Sequence, residues 1–237
     1  APAQVPEAAP DPMRVLLLAA GSQSRWQAEG GEGLKQFIEI DGEAVVHRAY
    51  RLAAARCPDI ITLVRDPSDR CWAGLNPEAP QHEDWMGEMG KFLDGRPHWP
   101  VGGEVAILYG DVFYTEAVLD QILDPAPVDQ PTVYGRANAP GRRLESFGFR
   151  FDVLRDAAEV ERVCRECAEQ GMNVKGGPWR WFHRRHLGLG RYDARDVKRL
   201  ATPENGWVEL PPDATDDFDR PKDLTKWRRR FDVRDDR

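Results

Sequence analysis

A short apolar run near the start of the chain, followed by a glycine and two separated cations, constrains the fold most. Residues 15–18 read Val-Leu-Leu-Leu, which is typical of a strand buried on both faces of a parallel sheet. Gly21 then permits a sharp turn and lets backbone N–H groups approach a ligand without a Cβ in the way. Arg25 and Lys35 add fixed positive charge beyond the turn. The segment therefore predicts a strand that ends in an anion-binding loop.

A second apolar run, near the middle of the chain, ends in an acidic residue. Residues 105–109 read Val-Ala-Ile-Leu-Tyr and are followed by Gly110 and Asp111. Open α/β sheets bind their ligands outside the carboxyl ends of the strands. Gly and Asp are also ordinary turn residues, so an unspecialised turn is the alternative. If the run is a strand, Asp111 emerges at the ligand-binding edge of the sheet.

The C-terminal region carries a group of aspartates. Asp217 and Asp219 are separated by one residue, and in an extended segment such residues point to the same side. They stand among Asp213, Asp216 and Asp223, so a solvated acidic turn is the alternative interpretation. An extended conformation would present two carboxylates together.

In this order the three motifs resemble the signature of the nucleotidyltransferases with a GT-A-like fold, which include sugar-1-phosphate nucleotidyltransferases, cytidylyltransferases and molybdopterin cofactor transferases. That signature has Ala-Ala-Gly-x-Gly-x-Arg after the first strand, then Pro-Lys, an Asp after a later strand, and Asp-x-Asp-Thr-Pro-Glu-Asp-Leu near the end. The likeness spans roughly residues 15–225. Gln23, Leu34 and Arg220 stand where the family usually has Gly, Pro and Thr.

The resemblance implies an α/β fold with a single-domain, Rossmann-like architecture, in which a mixed, mainly parallel sheet is flanked by helices. Residues 13–237 would form this nucleotidyltransferase domain, and the proline- and alanine-rich residues 1–12 are expected to be a flexible leader. Strand and helix patterns alternate along the chain, as a layered α/β domain requires. They predict helices at 43–55, 116–123 and 157–170, and strands at 59–65, 132–136 and 142–151, the last with a bulge at Gly148.

The reaction that the resemblance implies is transfer of a nucleoside monophosphate from a nucleoside triphosphate to a small molecule bearing a phosphate or phosphonate, such as a sugar phosphate. Pyrophosphate is released, and Mg²⁺ is the implied cofactor. The resemblance makes Arg25, Lys35 and Asp111 catalytic and gives the metal to Asp111 with Asp217 or Asp219, whose oxygens suit Mg²⁺. The nucleotide would contact the small and polar residues after the first strand: Ala19, Ala20, Gly21, Ser22, Gln23 and Ser24.

Two further segments are candidates for substrate contacts. Gly87 and Gly90 lie where the resembled enzymes have a loop and helix start that hold the base and ribose, but a glycine-rich turn before a helix explains them equally well. Residues 173–186 combine aromatic and basic side chains, and Lys175 and Arg180 are the candidates there for binding the acceptor phosphate. Core packing is the alternative for the aromatic residues. The same segment offers Trp179, Trp181, Arg184 and Arg185.

Composition and charge narrow the class of protein. The chain has 237 residues, enough for a large core, and its 33 Lys and Arg against 40 Asp and Glu give a formal charge of −7, which argues against a nucleic acid partner. Cys164 and Cys167 are one helical turn apart, which favours buried helix positions over a metal or redox site and fits reduced thiols in the cytoplasm. No apolar run is long enough to cross a bilayer, so no membrane partner is expected, and a homodimer is left open.

Two alternatives to nucleotidyl transfer remain at this point. A GT-A glycosyltransferase that uses a nucleotide sugar would share the fold, but such enzymes rely on an Asp-x-Asp near the middle of the chain, whereas here it falls near the end. A catalytically degenerate member, in which Gln23 and Leu34 mark the loss of activity, would bind a nucleotide without turning it over. The sequence does not indicate the base or the acceptor.

Overall fold

The computed structural model of the chain describes residues 13–21, 24–79, 87–138, 144–169, 177–188 and 193–231. The strands within these ranges are β1 Arg14–Leu18, β2 Glu39–Ile40, β3 Glu43–Ala44, β4 Ile60–Leu63, β5 Pro77–Glu78, β6 Glu104–Tyr109, β7 Val112–Phe113, β8 Thr132–Arg136, β9 Glu145–Asp152, β10 Trp207–Glu209 and β11 Asp216–Asp217. The α-helices are α1 Ser24–Ala28, α2 Val45–Ala54, α3 Gly87–Asp94, α4 Glu116–Ile122, α5 Val153–Glu169, α6 Gly177–Leu187, α7 Ala194–Leu200 and α8 Pro221–Phe231.

The main sheet has seven strands in the described part of the chain, in the order β10-β8-β9-β6-β1-β4-β5. β9 runs antiparallel to its neighbours β6 and β8, and the other pairings are parallel. Residues 15–18 of β1 and all of β6 are buried, as expected for strands at the centre of a parallel sheet. Their carboxyl ends lie side by side because Leu18 pairs with Tyr109.

Helices cover both faces of this sheet, and alternation along β9 shows how they are distributed. Phe149 packs on Phe92 of α3 and on Trp181 of α6, with ring centroids 5.6 and 4.9 Å apart. The next residue back, Gly148, faces α4, where a Cβ on it would lie 2.9 Å from Ile122 Cδ1. Adjacent strand residues point to opposite faces. The architecture therefore confirms the predicted mixed, mainly parallel sheet flanked by helices.

A small second layer returns the C-terminal region to the end of β6. β7 follows β6 directly and pairs antiparallel with β11, so Asp217 lies opposite Val112. A separate apolar cluster supports the pairing, and in it the Trp227 ring of α8 packs on Phe113 with centroids 4.8 Å apart. The Trp227 indole N–H also donates to the Ala214 carbonyl at 2.6 Å. The acidic C-terminal segment is thereby fixed beside Asp111.

Local predictions from the sequence agree closely with these elements. The strand predicted at 132–136 is β8, and the predicted bulge at Gly148 corresponds to a register shift where Tyr134 pairs with Gly148 but Gly135 with Ser146. Cys164 and Cys167 are buried free thiols of α5, and burial raises the pKa of both. The glycine-rich turn considered at Gly87 and Gly90 already belongs to a helix, because α3 begins at Gly87. Residues 1–12 lie outside the described ranges.

The contact between the ends of β1 and β6 makes a testable demand on Gly110. A Cβ there would lie 2.9 Å from Ala19 Cβ and 3.3 Å from Ala19 Cα, next to backbone that the sheet holds in place. We expect Gly110→Ala to lower the free energy of unfolding by about 1–3 kcal/mol in urea titrations, as overpacking does. Gly148→Ala is the comparison variant, since its Cβ would meet side-chain atoms of Ile122 and no backbone. An equal or smaller loss in Gly110→Ala would contradict the account.

Candidate active site

The loop after β1 and the turn after β6 form the floor of the candidate site. The Gly110 N–H donates to the Leu18 carbonyl at 2.8 Å, which brings the two strand ends together. Buried Gln36 donates from Nε2 to the Ala19 carbonyl at 2.9 Å, and Arg65 donates from Nε to the Ala20 carbonyl at 3.2 Å. Side chains thus hold the backbone of the predicted anion-binding loop. Of the predicted nucleotide contacts, Ser22 and Gln23 lie outside the described residues.

Lys35 joins the early cationic motif to the two acidic motifs. The residue lies in a buried 3₁₀ turn, and its Nζ forms an ion pair with Asp111 and lies 3.3 Å from Asp219 Oδ1. Burial alone would lower the pKa of Lys35, but Asp111, Asp219 and Asp217 outweigh it and hold that pKa above its ordinary value. The side chain is therefore an ammonium group at neutral pH. Three segments far apart in sequence converge on it.

The same balance keeps Asp111 ionised. Burial would raise the pKa of its carboxyl, but the charge and hydrogen bond of Lys35, together with the charge of Lys91, bring that pKa below its ordinary value. Lys91 belongs to α3, and its Nζ lies 3.4 Å from where a Cβ on Gly21 would be. Sequence analysis missed Lys91, although it lies next to Gly90. The segment first considered for base binding brings a third cation to the loop after β1.

Arg25 binds the same carboxylate as Lys35. Its guanidinium forms an ion pair with Asp219, so α1 lies against the C-terminal acidic segment. Glu29, which follows α1, pairs with Arg220 at 3.1 Å and with Lys222 at 3.3 Å. Arg220 stands where the resembled family usually has Thr, and here it contributes to this second charged contact. The cations and acids predicted from sequence are thus brought together.

The carboxyl of Asp217 lies in an environment that disfavours its ionised form. Burial raises the pKa of its carboxyl well above the ordinary value, and the charges of Asp219, Glu145, Asp111 and Asp216 raise it further. The pairing of β11 with β7 fixes this side chain where those acids meet. The site is therefore one in which a bound cation would relieve electrostatic repulsion.

Three carboxylates could hold a metal ion among the described residues. One ligand oxygen each from Glu145, Asp216 and Asp217 lies within 4.8 Å of the others. This donor set fits Mg²⁺, because all of its ligand atoms are hard oxygens. Sequence analysis did not identify Glu145, which starts β9 and reaches the site because that strand is inserted between β6 and β8. The predicted ligand Asp217 is a member of this group.

The candidates for acceptor and base contacts have more mixed positions. Lys175 lies outside the described residues, and Arg180, in the first turn of α6, is half-buried with its guanidinium 5.1 Å from the Trp179 ring centroid. Trp181 is fully buried in the core, as the alternative interpretation held. Gly87 is the first residue of α3 and Gly90 lies within it. Two further candidates form ion pairs with α5, namely Arg184 with Glu166 at 2.8 Å and Arg185 with Glu159 at 3.2 Å.

None of the helices in the described ranges combines the length and the apolar composition that crossing a bilayer requires.

The electrostatics of Asp217 predict how stability depends on pH. Folding raises the pKa of the Asp217 carboxyl, so its ionisation at neutral pH lowers the free energy of unfolding. That loss is absent at low pH, where the carboxyl is protonated in both the folded and the unfolded state. We expect Asp217→Asn to melt at a higher temperature than the wild type at pH 7, and the difference to vanish as pH falls below the unfolded pKa of about 3.9. Asp129→Asn, at an exposed position, should melt at the wild-type temperature at every pH. A lower melting temperature for Asp217→Asn at pH 7 would refute this reading.

Comparison with known proteins gives solved structures of the same fold. The nucleoside-diphosphate-sugar pyrophosphorylase from Vibrio cholerae RC9 superposes with a TM-score of 0.57 at 13% identity, covering 92% of this chain and 100% of that one. The CTP:phosphocholine cytidylyltransferase from Streptococcus pneumoniae gives 0.56 at 11% identity, covering 93% and 99%. The sequence matches no protein-family model and no curated protein significantly. The chain has the fold of these nucleotidyltransferases, as its motifs predicted.

Proposed function

We propose that this protein is a nucleotidyltransferase that moves a nucleoside monophosphate from a nucleoside triphosphate to a small phosphate- or phosphonate-bearing acceptor and releases pyrophosphate. One observation carries the proposal: Lys35, from the early motif, contacts Asp111 and Asp219, from the middle and late motifs. These are the residue types that binding a metal-complexed triphosphate requires, and they meet at the carboxyl edge of a parallel sheet. The shared fold supports the same reaction class.

The described side chains divide into a cationic and an acidic half. The triphosphate would be bound by three cations, Lys35, Arg25 and Lys91, and by the backbone of residues 19–21 beside them. We assign the metal to Asp111, as the resemblance implies, and to Asp217, which belongs to the carboxylate group with Glu145. Asp219 is the weaker candidate for the second ligand, because it accepts from both Arg25 and Lys35. A Mg²⁺ ion bound there would supply charge neutralisation at the phosphates.

The chemistry needs orientation more than proton transfer. An oxygen of the acceptor phosphate attacks the α-phosphorus in line, a new P–O bond forms, and the bond to the pyrophosphate leaving group breaks. The acceptor is already an anion, so no strong base is required, and positioning with charge stabilisation supplies the rate. Lys35 and Arg25 would exchange Asp219 for phosphate oxygens, so each cation keeps an anionic partner. The cytoplasmic location stays a prediction from the sequence, which left a homodimer open.

The first test removes the cation at the centre of the site. We expect Lys35→Met to lower turnover at least about 100-fold, the scale seen when one charge-stabilising donor is removed. Pyrophosphate release would be measured with each nucleoside triphosphate against a panel of sugar phosphates, polyol phosphates, phosphocholine and phosphonates. Lys226→Met, on the exposed face of α8, is the matched control.

Retention of wild-type turnover by a folded Lys35→Met protein would overturn the proposed function. Release of free nucleoside diphosphate from a nucleotide sugar, with no pyrophosphate signal from any pair, would instead indicate a glycosyltransferase. A nucleotide-binding protein without catalysis would show neither product.

A second test measures binding without turnover. A triphosphate at 100 times its dissociation constant should add about 2.7 kcal/mol to the unfolding free energy, visible as a raised melting temperature. We expect this gain to require Mg²⁺ and to be lost in Asp111→Asn, because the substitution removes a proposed metal ligand. Asp129→Asn should keep the full gain. An equal gain in Asp111→Asn, with or without Mg²⁺, would exclude Asp111 from the site.

A further inference from the structure

A fully buried arginine anchors the segment that carries Asp216 and Asp217. Arg136, the last residue of β8, donates from Nη2 to Asp213 at 2.6 Å, from Nη1 to the Thr215 carbonyl at 2.7 Å and from Nε to the Pro211 carbonyl at 2.9 Å. Its guanidinium also lies over the Phe147 ring, 4.9 Å from the centroid. All three of its nitrogens therefore hold residues 211–215.

Two threonines extend this anchor to the end of β7. The carboxylate of Asp213 accepts from the Thr115 hydroxyl and from the Thr215 N–H, the latter at 2.9 Å. The Thr115 N–H in turn donates to Thr215 Oγ1 at 3.0 Å. Thr115 closely follows β7, whose pairing with β11 holds Asp217 opposite Val112. The network and the strand pairing thus clamp residues 211–217 from both sides.

A buried ion pair is weak evidence of a purely stabilising role. Burying a guanidinium and a carboxylate costs several kcal/mol of desolvation per ion, and well-packed apolar residues often serve a fold equally well. The acids next to it give it a different use. Ligand oxygens of Glu145, Asp216 and Asp217 lie within 4.8 Å of one another, so the segment that Arg136 holds is the one that brings like charges together.

We propose that Arg136 is a positioning residue, which holds residues 211–217 so that Asp216 and Asp217 stay beside Glu145 and Asp111. The inference rests on the proposed function in one respect, namely that a divalent cation binds at these carboxylates. Arg136 itself touches neither cation nor substrate in this scheme. It acts through the backbone of the segment, as outer contacts of metal ligands do.

The chain offers a matched control in Arg150. This residue of β9 is also fully buried, pairs with Glu104 and donates to the carbonyls of Ile122, Asp124 and Ala126. Glu104 is the first residue of β6, so the pair lies at the amino end of this strand, whereas Asp111 follows its carboxyl end. Arg136→Lys and Arg150→Lys therefore make the same change in two buried networks, one beside the acids and one remote from them.

The experiment compares these variants by three measurements on the full chain: melting temperature, hydrogen exchange of residues 211–219 without ligand, and binding of Mn²⁺ alone counted by electron paramagnetic resonance. We expect both variants to lose stability. Arg136→Lys should speed exchange in that segment and weaken Mn²⁺ binding about 10- to 100-fold, the range for lost outer contacts. Arg150→Lys should leave both at wild-type values.

Unchanged exchange and unchanged Mn²⁺ binding in Arg136→Lys would overturn the positioning role. If the wild type bound no Mn²⁺, the metal in the proposed function would fail, while hydrogen exchange would still decide whether Arg136 holds the segment. Should Arg136→Lys not fold, Thr215→Val replaces it, since it removes the hydroxyl that accepts from Thr115. Thr215→Ser must then restore wild-type exchange and Mn²⁺ binding, and failure of that rescue counts against the proposal.

Discussion

The buried ammonium group of Lys35 is the interaction on which the arrangement of the site depends. A buried charge is tolerated only when it is paired, and its partners here come from the end of β6 and from the segment after β11. That requirement ties the first motif to the two later ones. Together with the pairing of β11 with β7, it holds the C-terminal acidic segment beside the end of β6. Asp111 stays ionised for the same reason, because Lys35 and Lys91 offset the cost of its burial.

The acids that meet at this point outnumber the cations among the described residues. Arg25, Lys35 and Lys91 face a larger set of carboxylates, those of Asp111, Glu145, Asp216, Asp217 and Asp219. A bare triphosphate would be repelled by such a set, whereas a triphosphate that carries a divalent cation would complement it. The surplus of carboxylates also gives Arg136 its proposed role, because like charges repel and stay close together only where the backbone is anchored.

Sequence predicted what short segments encode. Local pattern predicted the strands at 132–136 and 15–18, and motif order predicted that Lys35 and Asp111 lie together, as they do. Glu145 could not, because its place depends on β9 running antiparallel between β6 and β8. The networks around Arg136 and Lys91 likewise join residues whose spacing along the chain carries no signal. Arg220 departs from the motif of the resembled family, and only the structure shows that this arginine forms an ion pair with Glu29.

The most direct measurement is a crystal structure with Mn²⁺ and the triphosphate that stabilises the protein most, with the metal located by anomalous scattering. The account predicts an anomalous peak bonded to Asp111 and Asp217, with phosphate oxygens within hydrogen-bonding distance of Lys35 Nζ. A triphosphate bound on another face, or a metal that contacts neither aspartate, would contradict it.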